Sequence, residues 1–137
     1  MAYLIDSDWV IDHLTGIPDA SELLLRLAPA GIAISIITYM EVYQGVLMST
    51  DQAAAELRFR ELVETLPLLP LSPAVARRCA AVRADLRRQG RRVGGRALDL
   101  IIAATALEFN LTLVTRNLRD YRDIPGLSLL DLPTTRE

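Results

Sequence analysis

Three carboxylates fall where buried structure begins or ends: Asp6 closes the apolar run Tyr3-Leu4-Ile5, Glu41 follows Ile36-Ile37-Thr38, and Asp99 opens the apolar stretch from Leu100 to Leu107. Short runs such as Leu4-Ile5 and Ile34 to Ile37 read as strands buried on both faces. An acid just beyond such a run stands at the strand's carboxyl end, the rim where open parallel α/β sheets bind ligands. A fourth polar cluster, Thr115-Arg116-Asn117 with Asp120 close behind, follows another apolar run, Leu111 to Val114. Four separated segments thus deliver polar groups to one cleft. Carboxylates gathered closely repel and raise one another's pKa, and a cation is the simplest means of keeping them ionised together. Oxygen-only donors select Mg²⁺ or Mn²⁺.

Taken singly, each of these residues has an ordinary explanation. Asp6 suits an Asx turn or the cap of the next helix, although Asp8 and Asp12 crowd the same region. Thr38-x-x-Glu41 has the form of a capping box, in which the Glu side chain reaches back to the cap's own N–H. Asp99 falls in the first turn of an apolar helix, where a negative charge is favoured. Asn117 suits a turn, and Asp120 an ion pair with Arg119 or Arg122. Local explanations leave the convergence unexplained.

The elements that must position these groups alternate along the chain. Residues 2 to 5 form a first strand, and Ser7 is placed to cap a short helix through Leu14. Gly16 and Pro18 break the chain before a second helix that begins near Asp19 or Ser21, turns Leu23, Leu24 and Leu27 inward, and stops at Pro29-Ala30-Gly31. A strand over 32 to 37 follows, then helices from about Tyr39 to Met48 and from about Gln52 to Thr65, the latter with Ala55, Leu57, Leu62 and Val63 as its apolar positions. These two read as a helical hairpin. Leu66 to Leu71 contains Pro67 and Pro70, which cannot donate to a sheet ladder, so this segment belongs at the sheet's edge. Ser72-Pro73 caps and opens a helix whose core stripe is Val75, Cys79, Val82 and Leu86. Gly90 ends it, and Gly94-Gly95 lead into a helix from about Ala97 to Phe109 that is apolar nearly all round and closed by Asn110. Strands at Leu111 to Val114 and near Leu127 to Leu130 complete the sheet. Alternating β and α elements predict a parallel sheet covered on both faces.

Composition bounds the class. With 137 residues and 51% hydrophobic content, one compact domain over 1–137 is expected. No apolar run approaches the roughly 20 residues of a membrane helix, and the first residues carry no export signal, so the expected setting is soluble and cytoplasmic. Cys79 is the only cysteine, which fits a reducing compartment and a buried, inert thiol. The net charge of −2 hides a segregation: Arg77 to Arg96 holds eight arginines and one acid, Asp85, and the chain contains no lysine. Arginine forks suit phosphate oxygens, so the strip reads either as a phosphate-binding surface or as a solvated helix face.

At this point the motifs resemble a known family. Tyr-Leu-Ile-Asp-Ser-Asp-Trp-Val-Ile-Asp at 3–12 is similar to the opening of PIN domains, and Ile-Thr-Tyr-Met-Glu-Val-Tyr-Gln-Gly at 37–45 to their second acidic motif. The segments 99–107 and 113–121, with Ile-Pro-Gly-Leu at 124–127, resemble the C-terminal half of VapC-type toxins. The resemblance implies an α/β/α sandwich around about five parallel strands, metal-dependent endoribonuclease activity, frequent homodimers and neutralisation by a small VapB-type antitoxin. By position, Asp6, Glu41 and Asp99 match the family's first three acids and would hold the metal. Asn117 stands where many relatives carry Asp, leaving Asn117 and Asp120 as candidates for the fourth place. Asp8 stands where Asn is common.

Metal held by Asp6 and Asp99, with Glu41 directly or through water, would activate a water for phosphodiester hydrolysis. His13 is the only histidine, which excludes a paired-histidine mechanism and leaves it as a helix-surface residue. Aromatics make up 5% of the chain, too few for an extended base-stacking platform. RNA would therefore be held through its backbone, with Ser7, Arg116, Arg119, Arg91, Arg92 and Arg96 as candidate contacts. Two rivals compete: a noncatalytic PIN-like binding module, and a phosphatase of the haloacid-dehalogenase type, suggested by Asp6-Ser7-Asp8. The latter, like receiver domains, ordinarily needs a lysine that this chain lacks.

Overall fold

The computed structural model describes residues 1–132. Its centre is a parallel sheet of β1 (Tyr3–Ile5), β2 (Ile32–Ser35), β3 (Leu68–Leu69) and β4 (Thr112–Val114), in the order β3-β2-β1-β4. Leu4 sits opposite Ala33 on one side and Leu113 on the other. Ile34 and Ser35 align with Leu68 and Leu69. Successive strand residues point to opposite faces, and the core divides accordingly. Leu4, Ala33, Leu69 and Leu113 pack on one side with Val75, Cys79, Val82 and Leu86 of α5 (Pro73–Arg88) and with α6 (Ala97–Glu108). Ile5, Ile34 and Val114 pack on the other with α1 (Ser7–Leu14), α2 (Pro18–Leu27), α3 (Ile36–Leu47) and α4 (Gln52–Val63). This is the expected α/β/α sandwich.

Several local expectations are corrected by capping. The second strand ends at Ser35, not at residue 37, because the Ser35 hydroxyl accepts from the Thr38 amide at 3.1 Å and starts α3. Thr38 is therefore inside the helix, and the capping box with Glu41 does not form. In α1 the cap is Asp6, whose carboxylate accepts from the Ser7 amide, so Ser7 is the first helical residue instead. In α4 Leu57 is exposed and Phe59 is the buried anchor, wedged against Tyr39 and Tyr43 with ring centroids 5.0 and 5.1 Å away. That contact builds the expected α3–α4 hairpin. The fifth strand shrinks to one parallel bridge, Leu113 to Leu129, with amide bonds of 2.9 Å on either side. His13 is half-buried, its Nδ1 hydrogen-bonded to the Ser21 hydroxyl at 2.8 Å. Cys79 is buried, and burial pushes its thiol pKa up, as suits an inert core residue.

One polar clamp fixes the approach to α6. Arg96, expected on the sequence as an RNA contact, is only 7% exposed. Its guanidinium donates to both Asp123 oxygens at 3.0 and 2.8 Å and to the carbonyls of Arg92 and Asp120. These bonds tie the glycine-rich loop to α7 (Leu118–Tyr121) and leave Arg96 no role at the surface. The hydrogen bonds from Arg96 hold the Asp123 carboxyl below its ordinary pKa. A depressed folded pKa supplies stability above the unfolded value of about 3.9, lost as pH falls through the lower folded value. Asp123→Asn is accordingly expected to cost about 1.5–3 kcal/mol at pH 7. In urea titrations that gap should narrow as the pH is taken below 4; a gap independent of pH contradicts the clamp's ionic character.

Candidate active site

Asp6 and Thr115 lie side by side because β1 and β4 are adjacent and in register. The Asp6 amide donates to the Val114 carbonyl at 2.9 Å, and both segments leave the sheet at its carboxyl end. Asp6 is 5% exposed. One carboxylate oxygen accepts from the Ser7 amide at 2.8 Å and the other from the Thr115 hydroxyl at 2.7 Å. Each oxygen retains acceptor capacity beyond that bond.

The neighbouring acids are each held by a hydroxyl. Ser7 donates to the Glu41 carboxylate at 2.5 Å, a contact between the first turn of α1 and the second turn of α3. The Ser7 hydroxyl also lies 3.3 Å from that of Thr38, which in turn sits 3.4 Å from Ser35. Tyr121, buried at the end of α7, donates to Asp99 at 3.2 Å. Thus Thr115, Ser7 and Tyr121 each orient one acid.

The electrostatics place the acids together. Burial raises the Asp6 pKa, and the charges of Asp8 and Asp99 push in the same direction, against the Thr115 and Ser7 hydrogen bonds. Burial likewise raises the Tyr121 hydroxyl pKa, with further contributions from Asp6, Asp99 and Glu41. Three acids from α6, α3 and the end of β1 therefore act on one hydroxyl, which stays protonated and able to donate. Among the described residues no three His, Cys, Asp or Glu side chains close into a ready-made ligand cage. Mg²⁺ does not require one, since it usually keeps several waters and takes one or two carboxylates plus substrate phosphate oxygens. The all-oxygen donor set, with a desolvated Asp6 beside other acids, fits such a cation.

The remaining candidates separate. Asn117 is exposed beside this cluster, its amide donating to Thr115 at 3.0 Å while its side chain makes no cap bond to α7. Asp120 is exposed and lines another hollow, with Arg91, Arg92, Arg96, Arg119 and Asp123. Arg116 is ion-paired with Asp12, and its guanidinium carbon lies 4.0 Å from the Trp9 ring centroid. Its orientation is fixed by that pair. Sequence reasoning missed Tyr121 and the orienting role of Thr115. Both lie in the 113–121 segment that carries the resemblance, but nothing in its spacing marked Tyr121 or Thr115 as a donor to an acid.

A parallel three-layer sandwich with a buried carboxylate at the carboxyl end of its first strand and further acids on the neighbouring helices defines an α/β protein. The PIN domain family model matches residues 3–127, and the chain belongs to that family. It is 34% identical over 126 residues to ribonuclease VapC19 of Mycobacterium tuberculosis, covering 90% of this chain and 95% of that protein. It is 28% identical over 131 residues to ribonuclease VapC2 of Rickettsia felis, covering 94% and 96%. Among solved structures, VapBC2 from Rickettsia felis bound to a DNA fragment from their promoter superposes with a TM-score of 0.84 at 26% identity, covering 97% of this chain and all of that one.

The raised Asp6 pKa makes a prediction for the cation-free protein. A group whose folded pKa exceeds its unfolded value contributes stability in full below the unfolded pKa and loses it as pH rises through the folded one. Asp6→Asn removes that loss. In chelator the parent should lose melting temperature relative to the variant as pH rises from about 4 to 7. A difference between the two that is independent of pH would contradict the cost assigned to this buried charge.

Proposed function

We propose that the chain is a divalent-metal-dependent endoribonuclease, the toxin of a VapBC-type pair, and that Asp6, Glu41 and Asp99 are its acidic centre. The observation that carries this reading is the buried Asp6 carboxylate within electrostatic reach of Asp99, with Asp6, Glu41 and Asp99 each hydrogen-bonded by its own hydroxyl donor. Family membership and the ribonuclease names of its relatives support the substrate class. Asp6 and Asp99 would hold Mg²⁺ or Mn²⁺, with Glu41 directly or through water. Such a cation supplies charge neutralisation at the scissile phosphate and a lowered pKa for water.

The chain's own residues set the geometry. Thr115 and the Ser7 amide fix the plane of the Asp6 carboxylate, and Tyr121 fixes one oxygen of Asp99. Ser7 restrains Glu41 while its hydroxyl has one proton to give, so it acts as an orienting donor in this arrangement. Asn117, exposed beside Thr115, would offer an uncharged carbonyl and amide to water or a phosphate oxygen. We place Asp120 outside the acidic centre, with the arginines of α7 and its neighbouring loop. The partner we propose is a small VapB-type antitoxin, since the solved relatives are VapBC assemblies. A homodimer and a reducing, cytoplasmic setting complete the reading. No helix among the described residues is long and apolar enough to cross a membrane.

Purified protein should cut single-stranded RNA with Mg²⁺ or Mn²⁺ and stop in EDTA. Asp6→Asn and Asp99→Asn should each slow cleavage by more than about a hundredfold, the upper range for losing a mere orienting partner. Turnover of small phosphate esters without RNA cleavage would favour the phosphatase reading; RNA binding without cleavage would favour the noncatalytic module.

A further inference from the structure

Beside the acidic centre lies a hollow of about 310 Å³ lined by Arg91, Arg92, Arg96, Arg119, Asp120 and Asp123. Its charges divide into a frame and an open rim. Arg96 and Asp123 neutralise each other through two hydrogen bonds, and the same two terminal nitrogens of Arg96 also donate to the Arg92 and Asp120 carbonyls. Arg92 donates to the Gly94 carbonyl at 2.7 Å, bracing the loop. Arg91 approaches Asp123 only to 3.9 Å with its side chain 53% exposed, and Arg119 is exposed. The rim thus presents guanidinium groups in excess of the one remaining acid, Asp120.

Position gives this hollow its meaning. Its walls are the segment entering α6, which carries Asp99 one turn after Arg96, and helix α7, which carries Tyr121 two residues after Arg119. Asp99 lies close enough for its charge to act on Arg96. A ligand bridging hollow and acidic centre must place an anion among arginines and another anionic group at the carboxylates, where only a cation could hold it. A strand of regularly spaced phosphates satisfies both demands.

We propose that Arg91 and Arg119 form a backbone subsite for single-stranded nucleic acid, taking a phosphodiester that flanks the one at the acidic centre, with Arg96–Asp123 as its rigid frame. The subsite rests on the nuclease reading for its neighbour, but its own ligand is the phosphate alone. Arginine forks donate two parallel bonds to phosphate oxygens, and a wall already clamped loses little freedom on binding. The lining contains no aromatic side chain on which a base could stack.

The test is binding of a labelled oligouridylate in EDTA across a KCl series. The proteins are the parent, Arg91→Gln/Arg119→Gln, and a control with the same charge change on exposed positions of α5, Arg77→Gln/Arg87→Gln. Melting temperatures establish that all three fold. Loss of two phosphate contacts should lower the slope of log affinity against log salt by about 1 to 1.5 and weaken binding roughly tenfold or more at low salt, with the control close to the parent. Equal losses in both double variants, or no loss in the first, would overturn the subsite. Displacement of the oligouridylate by polyglutamate as readily as by unlabelled RNA would also overturn it, assigning the hollow to acidic peptides. A parent that binds with the full salt slope yet never cuts RNA would refute the nuclease reading alone. A parent that cuts, with an unchanged slope in the first variant, would refute the subsite alone.

Discussion

The carboxylate of Asp6, buried between the ends of β1 and β4, is the constraint around which this molecule is arranged. A parallel pairing puts Thr115 beside it, and the turn into α1 puts the Ser7 amide against its other oxygen. Two hydrogen bonds do not fully offset the cost of burial beside like charges, as the upward shift of its pKa records. Folding forces supplied elsewhere, chiefly the two apolar layers on either side of the sheet, carry that cost. Local destabilisation of this kind is characteristic of sites that await a charged ligand.

The hydroxyls around the cluster extend the same logic outward. Thr115, Ser7 and Tyr121 come from three different segments, and each spends its proton on a different acid. None of them brings a charge that would compete with a cation. Arginine, the only long basic side chain available to this lysine-free chain, is kept off these acids by other attachments: Arg96 is absorbed by Asp123, and Arg116 by Asp12 and Trp9. The acids therefore remain open to divalent cations while positive charge stands nearby on α7 and the preceding loop. A tight internal salt bridge to Asp6 or Asp99 would have satisfied the electrostatics and closed the site.

Much of this was legible in the residues because apolar runs and punctuation agree. Ser72-Pro73 followed by Val75, Cys79, Val82 and Leu86 marks α5 and its buried face, and Asn110 takes the left-handed backbone conformation, φ 56°, that ends α6. Asp6 at the end of β1 and Asp99 in the first turn of α6 stand where the apolar runs put them, whereas Glu41 lies in the second turn of α3, because β2 stops at Ser35. What failed was local competition between equivalent signals. Ser35 and Thr38 both suit a cap, and it is the Ser35 hydroxyl, accepting from the Thr38 amide, that starts the helix. Leu57 and Phe59 both suit a core position, and the pocket formed by Tyr39 and Tyr43 decides for Phe59. Arg96 was indistinguishable from its exposed neighbours because its partner, Asp123, is distant in sequence. Tyr121 was hidden for the same reason.

The central claim is that the buried Asp6 carboxylate and the half-buried Glu41 and Asp99, each aimed by a hydroxyl, form one divalent-cation site. Calorimetric titration of the chelator-stripped protein with Mn²⁺ addresses it without reference to any substrate. The account predicts saturable uptake by the parent and its loss in Asp6→Asn at unchanged secondary structure. No uptake by the parent, or equal uptake by the variant, would contradict it.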